Sequence, residues 1–160
     1  MVAGTYTHAS VSPVPVSRLW KASADTDKIV PKILPEIIAS IVVLEGDGGV
    51  GTVKQINFTK AMKECSYVKE RVDAVDPEKR VYKSTVLEGG LIGLKFKSYA
   101  FEAKMEATSE GGAKTTLTLE YDTIGETPLS QEELEKIVGG MMSIPKAIET
   151  HLLANPDAYV

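Results

Sequence analysis

Alternation of apolar and polar residues governs most of the chain. Segments 5–11 (TYTHASV), 39–45 (ASIVVLE), 52–58 (TVKQINF), 66–75 (SYVKERVDAV), 80–88 (RVYKSTVLE), 96–107 (FKSYAFEAKMEA) and 115–122 (TTLTLEYD) are rich in β-branched and aromatic residues and predict strands. The separators GDGG, DPEK, EGG-LIG and SEGG carry turn chemistry. Connections this short after residue 39 favour an antiparallel meander over parallel βαβ units. Two stretches change period. Residues 15–25 and 27–34 predict two short helices, with Pro31 near the start of the second or breaking it. Residues 130–154 predict the strongest helix. Ser130 and Glu133 form a capping box, and Leu134, Ile137, Val138, Met141, Ile144, Ile148 and Leu152 recur at three- and four-residue steps. Pro145 lies inside this run and predicts a kink. An antiparallel sheet with one apolar face needs a cover, and the last helix supplies it. The fold class is α+β.

The span Gly46-Asp47-Gly48-Gly49-Val50-Gly51 satisfies G-x-G-x-x-G. In a dinucleotide fold such a loop must open a helix whose N-terminus holds the pyrophosphate. Here strand-forming sequence lies on both sides. Gly46, Gly48, Gly49 and Gly51 therefore predict a hairpin, where glycine tolerates positive φ. Lys54 follows the loop, but no G-x-x-x-x-G-K-[ST] is present.

Alternation also assigns faces. Lys54 shares one with Ile56 and Phe58, and Glu70 with Val68, Val72 and Ala74. Tyr99, Phe101, Ala103 and Met105 form another inner face. In 80–88 two assignments compete: Tyr82, Ser84 and Val86 against Val81, Thr85 and Leu87. Lys54 and Glu70 are thus charges on apolar faces. Either they snorkel or pair structurally, or they line a solvated cavity where they meet a ligand. Gly139 and Gly140 inside the long helix leave volume beneath it or permit bending.

Composition narrows the function. The chain has 160 residues, a net charge of −4 and 43% hydrophobic residues, as expected for a single domain spanning 1–160. Its acidity gives no general attraction to nucleic acid. One cysteine, Cys65, excludes an intrachain disulfide and fits a reducing, cytoplasmic setting. The N-terminus lacks signal-peptide features, and no apolar run reaches the length of a membrane span. His8 and His151 are far apart, and no metal-ligand spacing appears, so neither metal nor cofactor is expected.

The stretches EGDGGVGTVKQINF, YVKERVDAVD, VLEGGLIG and ETHLLANPDAYV, spread from end to end, resemble the plant pathogenesis-related class 10 family, that of the major birch pollen allergen. The resemblance implies a helix-grip fold. In it, seven curved antiparallel strands wrap a long C-terminal helix, with two short helices after the first strand. It also implies a monomer with an internal cavity for small amphipathic metabolites or hormones: flavonoids, cytokinins, sterols or fatty acids. By position, Lys54, Ile56, Phe58, Glu70, Tyr82, Ser84, Tyr99 and Phe101 match lining sites on the sheet. Ile38 matches one on the second helix region, and Ile137, Gly140, Met141 and Ile144 match sites on the long helix. Ser84 stands where the birch allergen has a tyrosine, and Pro145 departs from the family's usual helix. Norcoclaurine synthases, enzymatic relatives, use a tyrosine, a glutamate, a lysine and an aspartate. Only Glu70 matches; Val68, Tyr82 and Phe101 occupy the other three positions. A ribonuclease reading has Lys54 and Glu149 in place but Lys97 where a glutamate is often given. The gate and latch motifs of abscisic-acid receptors are missing. Carrier is therefore the leading expectation. An enzyme using Glu70 with Tyr82 or Lys54 is second, and a ribonuclease third.

Overall fold

The computed structural model describes residues 2–160. Strand β1 (Ala3–Ser12) is followed by helices α1 (Val16–Ala24) and α2 (Thr26–Ile33). Six strands come next: β2 (Ile38–Glu45), β3 (Val53–Phe58), β4 (Tyr67–Asp76), β5 (Val81–Gly89), β6 (Phe96–Ala107) and β7 (Ala113–Thr123). Helices α3 (Gln131–Met141) and α4 (Ser143–Ala154) end the order. The strands form one antiparallel sheet in the order β1-β7-β6-β5-β4-β3-β2. Every predicted strand is present to within two residues at its ends.

The glycine-rich segment is the β2–β3 hairpin. Gly46, Gly48 and Gly51 all have positive φ, and a Cβ at Gly46 would come within 2.8 Å of the Thr52 backbone. The Gly51 amide donates to the Val72 carbonyl and the Val72 amide to Thr52. These bonds tie the loop to β4.

Register shifts mark bulges in β2–β3 at Ile38/Ser40 and Val43/Glu45, in β4–β5 at Lys69/Glu70 and Val72/Ala74, and in β6–β7 at Phe96/Ser98. Each bulge bends its strand and sharpens local twist, which curves the sheet. On the inner face, Lys54, Glu70, Val86, Tyr99, Tyr121 and Gly4 stand in one line across six strands. Val72, Ser84, Phe101, Leu119 and Tyr6 form the next line. Ser84 and Val86 are buried while Leu87 is exposed, so β5 turns Tyr82, Ser84 and Val86 inward. That resolves the competing assignments for this strand.

The predicted long helix is two helices. Pro145 has no N–H for the Met141 carbonyl, and its ring would press on that oxygen. The chain breaks at Met142, whose ψ of −6° leaves the helical range. The kink expected at Pro145 thus falls three residues earlier. Bonds from Met142 N to Val138 O and from Lys146 N to Met142 O bridge it. Pro31 lies in the last turn of α2 and neither starts nor breaks it. Ile38, expected on the second helix region, opens β2 instead and is fully buried.

Leu134, Val138, Ile148 and Leu152 face inward from α3 and α4, each pair one turn apart. The principal backbone neighbours of α4 are α1 and α2, not the sheet. Arg18 of α1 fixes this arrangement. Its guanidinium donates to the carbonyls of Leu152, Asn155 and Ala158 at 3.0–3.2 Å, holding the end of α4 and the turn that follows it, where a cation is favoured.

Candidate functional site

The cross-strand line through Lys54 and Glu70 brings two charges onto the concave face. Lys54 sits opposite Glu70 in the β3–β4 register, yet its Nζ lies 3.0 Å from Asp27 Oδ1. Asp27 belongs to the first turn of α2, so the ion pair fastens that helix to the sheet. The ammonium also lies 5.9 Å from the centre of the Tyr82 ring, within cation–π range. Lys54 is therefore paired.

Glu70 is not. Its residue is 8% exposed, and among the described residues it makes neither a hydrogen bond nor an ion pair. No enclosed side-chain nitrogen or oxygen among those residues lacks a partner. The partnerless oxygens of Glu70 therefore border accessible space inside the fold. Burial pushes its carboxyl up from 4.5 to about 7; Lys54 counteracts this and Asp27 reinforces it. Desolvation, with Glu70 close by, likewise holds the Tyr82 hydroxyl well above its ordinary range.

The remaining expected residues divide by element. Ile56 is buried on β3, and Phe58 is half-buried at its end. Ser84 is fully buried, and its hydroxyl donates to the Arg71 carbonyl at 3.1 Å. Tyr99 is buried too, but its oxygen accepts from the Leu91 amide at 3.1 Å. Desolvation pushes its hydroxyl up to about 12, with the Leu91 contact opposing the rise. Its oxygen thus accepts from the β5–β6 connection, while its O–H remains a donor. Phe101 is half-buried although Ser84 and Leu119 on either side are fully buried. Ile137, Met141 and Ile144 are half-buried against the core, and Gly140 is exposed. Phe58, Tyr82 and Phe101 thus keep part of their apolar surface exposed on the concave face.

Asp27 escaped sequence reasoning. It looks like any acidic residue at a helix start, where the helix dipole favours a carboxylate, and its partner is 27 residues away. Only the α2–β3 approach reveals its role. A depression of about 480 Å³ beside Thr85, Ala100 and Glu120 lies on the convex face, away from Glu70. Among the described residues no cluster of histidine, cysteine and carboxylate side chains could hold a metal.

A curved antiparallel sheet gripping terminal helices, with a charged pair and a lone carboxyl on its inner face, defines a helix-grip protein. The chain belongs to the pathogenesis-related protein Bet v 1 family, whose model matches residues 1–155. It is 38% identical over 156 residues to the major strawberry allergen Fra a 1.08 of Fragaria ananassa, covering 97% of each chain. The crystal structure of Ara h 8.0201 superposes with a TM-score of 0.84 at 35% identity, covering 96% of this chain and all of that one. A norcoclaurine synthase from Thalictrum flavum, solved with dopamine and hydroxybenzaldehyde, shares the fold at a TM-score of 0.75. Its identity is 23%, over 96% of this chain and 88% of the synthase.

Proposed function

We propose that the protein is a cytoplasmic carrier or buffer of small amphipathic plant metabolites or hormones, acting in defence or stress responses. The observation that supports this is the inner face: Glu70, buried and without a hydrogen bond or ion pair among the described residues, shares it with half-buried Phe58, Tyr82 and Phe101, while Ile137, Met141 and Ile144 are half-buried on the C-terminal helices. Ligand pockets combine mostly apolar walls with few convergent polar groups. Apolar burial would supply the affinity, with Glu70, Lys54 and Tyr82 orienting ligand hydroxyls. Micromolar binding, about −8 kcal/mol, is expected.

One observation favours catalysis instead: Glu70 titrates near neutrality, as a general acid or base does. A relay needs a second group. Lys54 is held by Asp27, and the raised Tyr82 hydroxyl can donate a hydrogen bond but gives up its proton poorly, so the support for a relay is weaker than for a carrier. Native mass spectrometry of the protein from its own tissue is the test. A stoichiometric metabolite recovered unchanged supports a carrier. A rearranged product, formed by wild type but not by Glu70→Gln, would overturn it.

A further inference from the structure

Cross-strand partners on one face place their Cβ atoms about 5 Å apart, so Lys54 and Glu70 are set to pair. They do not. Asp27 draws the ammonium to the α2 side, 3.0 Å from its own carboxylate. The charges facing this point are few: Asp27 on α2, Lys54 on β3 and Glu70 on β4. Tyr82 on β5 lies under the ammonium. Tyr99 on β6 has its oxygen engaged by Leu91, and Cys65 precedes β4 and is felt electrostatically by Tyr99. Lys54 and Asp27 are engaged with each other, and Glu70, although it feels the Lys54 charge, makes no ion pair among the described residues.

We infer that Asp27 sets what the interior accepts: by capturing Lys54 it leaves the Glu70 carboxyl free, so the inner face favours ligand groups that donate hydrogen bonds over ligand carboxylates or sulfonates. The inference rests on the carrier reading. A donor such as an N–H or hydroxyl finds an unsatisfied acceptor, whereas an anion finds a carboxyl and no free cation. If Asp27 is lost, the flexible lysine stem turns to Glu70 and removes that acceptor. Asp27 is a positioning residue, partly exposed on a helix surface, and Asp27→Asn keeps its size while removing the charge that fastens α2 to Lys54.

Two readouts test this. The first needs no ligand: carbon-13 NMR titration of the Glu70 carboxyl in wild type, Lys54→Met, Asp27→Asn and the double variant. Lys54→Met is expected to raise the Glu70 midpoint by about one pH unit more in the Asp27→Asn background than in wild type. Equal shifts in both backgrounds would overturn the assignment. The second compares two fluorescent probes of matched shape: neutral N-phenyl-1-naphthylamine, which carries an N–H donor, and its anionic relative 1-anilinonaphthalene-8-sulfonate. Asp27→Asn should move their affinity ratio about fivefold toward the sulfonate, and Asp27→Glu should restore it. An unmoved ratio overturns the selectivity claim. Wild type binding neither probe overturns the carrier reading and the selectivity with it, whereas a failed titration cycle with normal probe binding overturns the Asp27 assignment alone.

Discussion

The two ends of the inner face solve opposite problems. Toward β7 and β1 it is packed round an aromatic cluster, with Tyr6 and Tyr121 half-buried at its margin. Phe96 is fully buried, with its ring centre 4.9 Å from that of Tyr99 and 5.2 Å from that of Tyr121. Gly4 gives Tyr121 its place, since a Cβ there would come 2.5 Å from the ring. Toward β3 and β4 the same face carries Lys54, Glu70 and partly exposed apolar surface. Packing at the aromatic end contributes stability; the charged end spends some on a carboxyl held in low dielectric. Local cost concentrated where a ligand would sit is the pattern expected of a functional site supported from elsewhere.

The largest break in this contrast should come from Phe96→Ala. Emptying the aromatic end is expected to cost roughly 3–5 kcal/mol in urea unfolding, with probe affinity little changed once folding is restored. Glu70→Gln should do the reverse. Because the folded carboxyl titrates near 7 rather than 4.5, the folded state holds a proton that the unfolded chain releases as pH rises between those values. Wild-type stability therefore declines across that window and is highest below it. The glutamine variant should escape this decline and be more stable by on the order of 3 kcal/mol above pH 8, matching wild type near pH 4. Denaturation midpoints of both proteins at several pH values check it; parallel profiles would refute it. Gly4→Ala should cost about 1–3 kcal/mol by displacing Tyr121, visible as a lower melting temperature. Ser84→Ala, which removes the bond to Arg71 at the boundary of the two ends, should cost only about 1 kcal/mol.

Much of this contrast was legible in the alternation. It placed Lys54 and Glu70 on inner faces because a strand's side-chain period is two, whatever its neighbours. It could not orient β5, where both faces carry β-branched residues; the register with β4 and β6 decided that. The helix break at Met142 was displaced from its cause, because proline acts on the carbonyl four residues before it, while the apolar steps run on through the break. Ile38 is placed on the second helix region by its position in the family resemblance, whereas the strand pattern read from residue 39 needs only one more residue to include it. Asp27 was invisible for a different reason: its role depends on a contact between elements that no local pattern encodes.

The bulges that curve the sheet also govern its outer border. Strand β2 lies at the edge and exposes Val42, Val43 and Leu44, an apolar row with unpaired backbone groups that invites another chain to add on. Irregularities at Ile38/Ser40 and Val43/Glu45 confine its regular stretch to residues 40–43. So short a straight segment gives an incoming strand few consecutive bonds before the direction changes. The geometry that makes a cradle on the inside thereby shortens what the β2 edge offers to another chain.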